Sequence, residues 1–151
     1  MPKILFICLG NICRSPMAEF VMKDLVEKAG LADEFQIDSA ATCRDEIGNP
    51  VYPPARRKLA KHGISCEGHA ARQLTAQDYE EYDLLIGMEG ANLKNMQRIC
   101  GGDPAGEMHR LLDYTGRPGG GAGPGGRTAL FMCSPSRRYG LRQRKRSRGL
   151  P

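Results

Sequence analysis

Cys8 and Arg14 stand near the start of the chain with five residues between them. A cysteine thiolate is a strong nucleophile, and the planar guanidinium of an arginine can hold two phosphate oxygens at once. The pair therefore predicts that Cys8 attacks the phosphorus of a bound phosphate monoester while Arg14 clamps the equatorial oxygens. The expected product is a phosphocysteine, which water then cleaves. A general acid must protonate the leaving group.

The residues around this pair are suited to form a phosphate-binding loop. Backbone N–H groups that curl around one point hold an oxyanion, and the N-terminus of a following helix adds partial positive charge there. Gly10 permits a tight backbone, Asn11 can adopt the left-handed conformation or brace the loop, and Ser15 can donate a hydrogen bond to the Cys8 sulfur. The predicted phosphate-binding residues are Leu9, Gly10, Asn11, Ile12, Cys13 and Ser15. This chemistry requires neither a metal ion nor a cofactor.

The sequence pattern also predicts the elements that position this loop. Residues 3–7 (Lys-Ile-Leu-Phe-Ile) form a continuous apolar run, which is typical of a strand buried on both faces of a parallel sheet. A helix is expected to begin at Ser15-Pro16, since proline is favoured at the first helical position. The apolar spacing predicts that its buried face contains Met17, Phe20, Val21 and Leu25.

The rest of the first 118 residues alternates between strand and helix patterns. Further strands are expected at residues 35–39, 83–87 and 110–112. Further helices are expected from residue 53 to about 62, from a capping box at Thr75, and from residue 90 to about 99. This alternation predicts a parallel α/β sheet, in which ligands bind at the carboxyl ends of the strands. The loop at residues 8–15 follows such an end.

Charge divides the chain into two parts. Residues 117–151 contain nine of the 22 lysines and arginines and none of the 17 aspartates and glutamates, which leaves 13 basic and 17 acidic residues before them. Residues 119–126 are rich in glycine, and residues 137–148 are strongly basic. We therefore expect one domain over residues 1–118 and a mostly disordered tail over residues 119–151. The acidic balance of the domain argues against nucleic acid as its partner.

The composition of the chain indicates the compartment in which the protein is expected and the state of its cysteines. No apolar run approaches the roughly 20 residues of a membrane span, and the apolar start is too short for a secretory signal. The expectation is a cytoplasmic protein with no membrane partner. The six cysteines are expected to be reduced thiols, since no spacing matches a zinc site. Outside the loop, four cysteines are interpreted as structural or incidental: Cys43, Cys66, Cys100 and Cys133.

Residues 7–19 (Ile-Cys-Leu-Gly-Asn-Ile-Cys-Arg-Ser-Pro-Met-Ala-Glu) resemble the signature of the low-molecular-weight protein tyrosine phosphatases. The resemblance covers residues 3 to about 118. It implies a four-stranded parallel sheet flanked by helices, Cys8 as nucleophile, Arg14 as phosphate clamp, and a phosphotyrosine protein or small aryl phosphate as substrate. It also implies that Cys13 is a redox partner, which captures an oxidised Cys8 in a reversible disulfide. The segment after Thr42 resembles the family's pocket rim, so Cys43 is a candidate to line the substrate pocket.

The chain departs from this family where the proton donor is expected. The family carries its general acid as an aspartate before a proline in a late loop, and Gly123-Pro124 stands there in this chain. No acidic residue follows Asp113, which lies upstream of that position. The resemblance also implies that an irregular tail takes the place of the family's closing helix. We therefore expect impaired hydrolysis, because a missing general acid typically costs about 10²–10⁴-fold in rate.

Other functions stay open on the sequence alone. A loop and an arginine without a proton donor would also suit a phosphate-binding or phosphoprotein-binding protein that has no useful turnover. Arginine-phosphate phosphatases and thiol-coupled arsenate reductases share the loop. The reductases need shuttle cysteines on a mobile segment, and Cys66 and Cys100 are too far apart in sequence to suggest such a pair. Among the remaining polar residues, His69 is expected on the surface, and Glu89 and Asn92 either support the site or begin a helix.

Overall fold

A computed structural model describes residues 1–115 of the chain. Four strands form its sheet: β1 (Lys3–Cys8), β2 (Gln36–Ala41), β3 (Leu84–Gly87) and β4 (Met108–Arg110). All pairs are parallel, and the strand order is β2–β1–β3–β4. This confirms the predicted four-stranded parallel α/β fold. The predicted boundary at residue 118, the tail over residues 119–151 and Cys133 lie outside the described residues.

Four α-helices connect and flank the strands: α1 (Arg14–Lys28), α2 (Pro53–Lys61), α3 (Ala76–Glu81) and α4 (Gly90–Cys100). Short 3₁₀ turns follow α1 and β4, at Ala32–Glu34 and Leu111–Thr115. Thr75 and Asp78 form the predicted capping box at the start of α3. No helix within residues 1–115 is long and apolar enough to cross a membrane.

The central strand β1 is buried on both faces, as its continuous apolar run predicts. Leu5 and Ile7 pack in a cluster with side chains of α3 and α4, whereas Ile4 and Phe6 pack on the opposite face, against α1. A third cluster joins the loop after β1 to α1 and α2, with Ala55 and Leu59 of α2 at its centre. The helices therefore cover both faces of the sheet and leave its carboxyl edge open to the loops.

Two local predictions were wrong. On α1, Val21 and Leu25 are 39% and 60% exposed, and the half-buried residues against the sheet are instead Ala18, Met22 and Val26. This helix packs on the sheet along one side and on α2 along another, so its buried residues do not form the single apolar stripe that was predicted. The residues against the sheet lie one position after Val21 and Leu25. The last strand is β4 at Met108–Arg110, and the predicted residues 111–112 belong to the 3₁₀ turn.

Candidate active site

The loop at residues 9–13 leaves the carboxyl end of β1 and leads directly into α1. Its side chains are largely buried: Asn11 and Ser15 are fully enclosed, and Cys8, Ile12 and Cys13 are at most 6% exposed. Arg14 is half-buried at the first position of α1. The structure therefore brings all the residues that the sequence predicts for phosphate binding into one compact turn at the edge of the sheet.

Carbonyl oxygens of the loop point outward, where the surrounding chain binds them. They belong to Cys8, Leu9, Asn11 and Ile12. The N–H groups of Thr42 and Cys43 donate to the carbonyls of Cys8 and Leu9, both at 3.0 Å. Nε2 of His69 donates to the Asn11 carbonyl at 2.8 Å, and the N–H group of Tyr52 donates to the Ile12 carbonyl at 2.7 Å. Because the C=O and N–H groups of a trans peptide point in opposite directions, the N–H groups of the following residues face the inside of the loop.

These inward N–H groups belong to Leu9, Gly10, Ile12 and Cys13. Together they form a concave set of donors, which is the arrangement that holds an oxyanion. The start of α1 adds to it, since this helix is 15 residues long and Cys13 at its N-cap position makes no side-chain cap hydrogen bond. Its first N–H groups and its partial positive charge are therefore available to an anion in the loop.

The sulfur of Cys8 has two polar neighbours within the loop. Its Sγ lies 3.0 Å from Ser15 Oγ and accepts a hydrogen bond of 3.3 Å from the Asn11 N–H group. The predicted contact between Ser15 and the Cys8 sulfur is thus present.

Asn11 braces the loop with all of its polar groups. Its φ of 57° is left-handed, as predicted, and its side chain is fully buried. The side-chain Nδ2 donates to Ser15 Oγ and to Ser39 Oγ, both at 2.8 Å, and Oδ1 accepts from the Arg72 N–H group at 3.1 Å. A backbone N–H group can only donate, so the Arg72 contact fixes which end of the amide carries the oxygen.

A chain of hydrogen bonds leads from Glu19 to the Cys8 sulfur. Ser39 Oγ donates to the Glu19 carboxylate, so it accepts from Asn11 Nδ2. The other Nδ2 hydrogen is donated to Ser15 Oγ, so the Ser15 hydroxyl hydrogen has two acceptors within reach, Cys8 Sγ at 3.0 Å and the Ala40 carbonyl at 3.5 Å. A Cys8 thiolate would be the nearer and the charged one of the two.

The guanidinium of Arg14 lies beside the loop and is held by an acidic side chain. Its Nη1 is 3.3 Å from Oε1 of Glu89, at the N-cap of α4. Burial works to lower the pKa of Arg14, but the negative charges of Cys8 and Glu89 outweigh it and hold that pKa above its ordinary value. Arg14 is therefore cationic at any physiological pH.

Glu89 is in turn positioned by Asn92, through the capping box that begins α4. Asn92 Oδ1 accepts from the N–H groups of Met88 and Glu89 at 3.2 and 2.9 Å. A close approach of α4 to β3 makes this possible, because a Cβ at Gly87 would lie only 3.1 Å from Asn92 Cβ. The sequence left two roles open for Glu89 and Asn92, support of the site and the start of a helix. The structure shows both.

Sequence analysis missed four residues that surround the loop: Glu19, Ser39, His69 and Arg72. His69 was expected on the surface, but it is half-buried, and its Nε2 donates to the Asn11 carbonyl. These residues come from α1, β2 and the segment before α3, so their proximity depends on the fold. The available signal was Glu19, an acidic residue one helical turn after Ser15 on the side of α1 that faces the loop.

Comparisons with known proteins place this arrangement in a family. The family model described as "Low molecular weight phosphotyrosine protein phosphatase" matches residues 3–122. The chain belongs to this family. It is 41% identical over 114 residues to the low molecular weight protein-tyrosine-phosphatase YfkJ of Bacillus subtilis, a match that covers 76% of this chain and 73% of that protein.

Solved structures of the family share the fold. The crystal structure of YfkJ from Bacillus subtilis has a TM-score of 0.79, with 34% identity and coverage of 97% of this chain and 94% of that one. The Vibrio vulnificus protein Wzb, solved in complex with benzylphosphonate, has a TM-score of 0.67, with 28% identity and coverage of 76% of both chains. The predicted family is therefore confirmed.

Proposed function

We propose that this chain is a protein tyrosine phosphatase that hydrolyses phosphate monoesters through a phosphocysteine on Cys8. The observation that carries the proposal is the position of Cys8 Sγ inside a loop whose N–H groups face inward, beside Arg14 and the start of α1. The benzylphosphonate bound by the related Wzb supports an aryl phosphate as the substrate class.

In the first step, the Cys8 thiolate attacks the phosphorus in line with the ester oxygen. The S–P bond forms as the P–O bond to the leaving group breaks, and the electron pair leaves with the phenolate or alkoxide oxygen. The inward N–H groups and the Arg14 guanidinium hold the three other oxygens, where charge builds up in the transition state. Glu89 keeps the guanidinium at the loop, since its carboxylate is 3.3 Å away.

In the second step, water attacks the phosphorus and the S–P bond breaks. The electron pair returns to sulfur, the attacking water loses a proton to the bulk solvent, and inorganic phosphate leaves. The Ser15 hydroxyl, which accepts from Asn11 and lies 3.0 Å from the sulfur, stabilises the departing thiolate. This step needs the donated hydrogen bond more than the first one, because negative charge is being restored to Sγ.

The leaving group is the weak point of this mechanism. Glycine stands at the family's general-acid position, Gly123, and no acidic residue follows Asp113. Asp113 is a poor substitute: the hydrogen bonds from Arg110 hold the pKa of its carboxyl below the ordinary value, so it is ionised at neutral pH. Hydrolysis should therefore depend on how well the leaving group departs without a proton.

A series of aryl phosphates with leaving groups of different pKa tests this proposal. We expect turnover to fall steeply as the pKa of the phenol rises, with nitrophenyl phosphate hydrolysed and phosphotyrosine peptides hydrolysed about 10²–10⁴-fold more slowly. Turnover that does not depend on the leaving group would show that a proton donor is present after all.

A second candidate is a phosphate-binding protein without turnover, which the missing acid favours and the intact loop permits. Binding of vanadate or phosphate with no covalent adduct and no hydrolysis of nitrophenyl phosphate would decide for it. The arsenate reductase alternative gains no support from the described residues. Cys66 packs in the cluster between α1 and α2, and Cys100 packs against the opposite helix pair, α3 and α4.

A redox role for Cys13 belongs to the same proposal. A peroxide would oxidise the Cys8 thiolate to a sulfenic acid and be reduced in the same step. Attack of the Cys13 thiol on this sulfenic acid, with loss of water, would then give a disulfide that protects the nucleophile. Both cysteines are buried at the loop, and a thiolate at either position raises the pKa of the Arg14 guanidinium. None of the five cysteines within residues 1–115 forms a disulfide.

A further inference from the structure

Helix α2 presents a concentration of positive charge that the proposed chemistry does not use. Residues 47–66 contain no aspartate or glutamate, while α2 and its end carry Arg56, Arg57, Lys58, Lys61 and His62. All of them except the half-buried Lys58 are exposed. Within residues 1–115, none of the ion pairs includes these side chains.

The stability of α2 accounts for only part of this charge. Lys58 and Lys61 lie in its last turn, where the helix dipole favours cations. Arg56 and Arg57 lie closer to the N-terminus, and no acidic residue occupies the first turn. Arg57 and Lys61 are four residues apart, so they repel each other on one face. The helix dipole therefore does not explain the charges of Arg56 and Arg57.

A cavity of about 640 Å³ lies beside this face, between α2 and residues 63–69. Its lining joins apolar side chains, among them Val51, Ala60 and Ile64, to the charged side chains of Arg56 and Glu67. This volume is within the range of ordinary ligand sites. Both walls are attached to the phosphate loop, because Tyr52 just before α2 binds the Ile12 carbonyl at 2.7 Å and His69 binds the Asn11 carbonyl at 2.8 Å.

A second segment that contacts the loop is less positive than α2. Residues 43–46 are tied to the loop by the hydrogen bond from the Cys43 N–H group to the Leu9 carbonyl, at 3.0 Å. Arg44, Asp45 and Glu46 follow Cys43, so two carboxylates outnumber one guanidinium there. Burial and the neighbouring negative charges raise the pKa of Cys43 to about 11. A chain bound across the loop would therefore meet its strongest positive charge at α2.

We propose that α2 and this cavity dock the segment of a phosphoprotein substrate that flanks its phosphotyrosine on one side, and that this segment is acidic and carries one apolar side chain. The inference rests on the proposed phosphatase function and names its substrate class. A helix of nine residues is about 13 Å long, which about four extended residues span. The acidic residues thus lie within about four positions of the phosphotyrosine.

Three phosphotyrosine peptides test this: one neutral, one with acidic residues before the phosphotyrosine and one with them after it. For each we compare kcat/KM, divided by the value for nitrophenyl phosphate, in wild type and in the double variant Arg56→Gln/Arg57→Gln. Lys94→Gln/Arg98→Gln, which removes the same charge from α4, is the matched control. We expect one acidic peptide, and not both, to be preferred by about tenfold at low salt. That preference is lost in the α2 variant and kept in the control.

The cavity is tested separately by Ala60→Phe, which fills it without changing charge. This variant should remove the advantage of an apolar residue within the preferred peptide and leave the effect of the acidic residues intact. Equal rates for all three peptides, or an identical loss in the α4 control, would overturn the proposal. The proposal would also be overturned if the α2 variant lost its binding to phosphatidylserine vesicles but kept its peptide selectivity. In that case α2 would bind a membrane surface.

Peptide affinity for the Cys8→Ser variant, measured by fluorescence anisotropy, separates failure of this inference from failure of the proposed function. If wild type hydrolyses none of the substrates, the phosphatase proposal fails. Tighter binding of one acidic peptide that depends on Arg56 and Arg57 would still support docking, and equal affinities would reject it.

Discussion

Two buried thiols lie close together at the carboxyl ends of neighbouring strands. Cys8 ends β1, and Cys43 lies just beyond β2, where its N–H group binds the Leu9 carbonyl at 3.0 Å. Their exposed fractions are 3% and 1%. By burial and position alone, either could be the nucleophile of a site at this edge of the sheet.

Their surroundings differ in sign. Cys8 has the Ser15 hydroxyl, the Asn11 N–H group and the cation of Arg14 around it. Cys43 is buried beside acidic side chains, and its pKa is raised to about 11, so it stays a neutral thiol at physiological pH. The strand end supplies a place for a cysteine, whereas the loop supplies the donors that suit Cys8 to the proposed role of nucleophile.

The largest expected effect comes from exchanging each sulfur for oxygen. Cys8→Ser should lower kcat on nitrophenyl phosphate by about 10⁴-fold or more, because the nucleophile is lost. Cys43→Ser should change it by no more than about twofold, because a neutral thiol takes no part in the chemistry. Steady-state kinetics of both variants checks the pair, and comparable losses would end the distinction between the two thiols.

The next effect concerns Arg14, the cation that lies beside Cys8. Arg14→Lys keeps the charge but loses the planar fork, so kcat/KM should fall by about 10²–10³-fold. Glu89→Gln keeps the size of the side chain that holds Arg14 and should cost about tenfold. Vanadate affinity, measured alongside, should weaken in the same order. An Arg14→Lys enzyme close to wild type would mean that the fork does not grip the phosphate.

A smaller effect is expected from the Ser15 hydroxyl. Ser15→Ala should slow the breakdown of the phosphocysteine by about 10–100-fold and cause an initial burst of nitrophenol, because the departing thiolate loses a hydrogen bond. Ser39→Ala, two links further from the sulfur, should show a weaker change of the same kind. Stopped-flow traces test this, and a slowed burst phase would place the role of Ser15 in the first step instead.

The smallest effect is a pH dependence of stability that belongs to Cys43. Its pKa is raised in the folded state to about 11, so its stabilising contribution is present below its unfolded pKa of about 8.5 and is lost as pH rises through the folded value. Cys43→Ser should therefore flatten the decline of Tm between pH 8.5 and 11 by about 5–10 °C. Thermal unfolding across this range checks it. Parallel curves for wild type and variant would show that Cys43 is not the group that ionises there.

The sequence predicted the parts of this site that are contiguous. Cys8, Asn11, Arg14 and Ser15 lie within eight residues, so a strand–loop–helix pattern was enough to place them. Strand and helix bounds were mostly predictable because β1 is a plain apolar run and α3 begins at a capping box.

The residues that the sequence did not reveal are those that the fold brings from elsewhere. Ser39 reaches Asn11 from the neighbouring strand, and His69 and Arg72 reach it from a segment about 60 positions later. His69 in particular has no local pattern around it, so a surface position was the natural expectation. Long-range hydrogen bonds of this kind depend on strand order and on loop paths, which local periodicity does not encode.

The central claim is that Cys8, and not Cys43, carries the phosphoryl group. The most direct measurement is mass spectrometry of acid-quenched enzyme during a single turnover of nitrophenyl phosphate, followed by digestion to locate the adduct. The account predicts one added HPO₃ on the peptide that contains Cys8, and none in Cys8→Ser. An adduct on Cys43, or hydrolysis with no adduct in the Ser15→Ala variant that should accumulate it, would contradict the account.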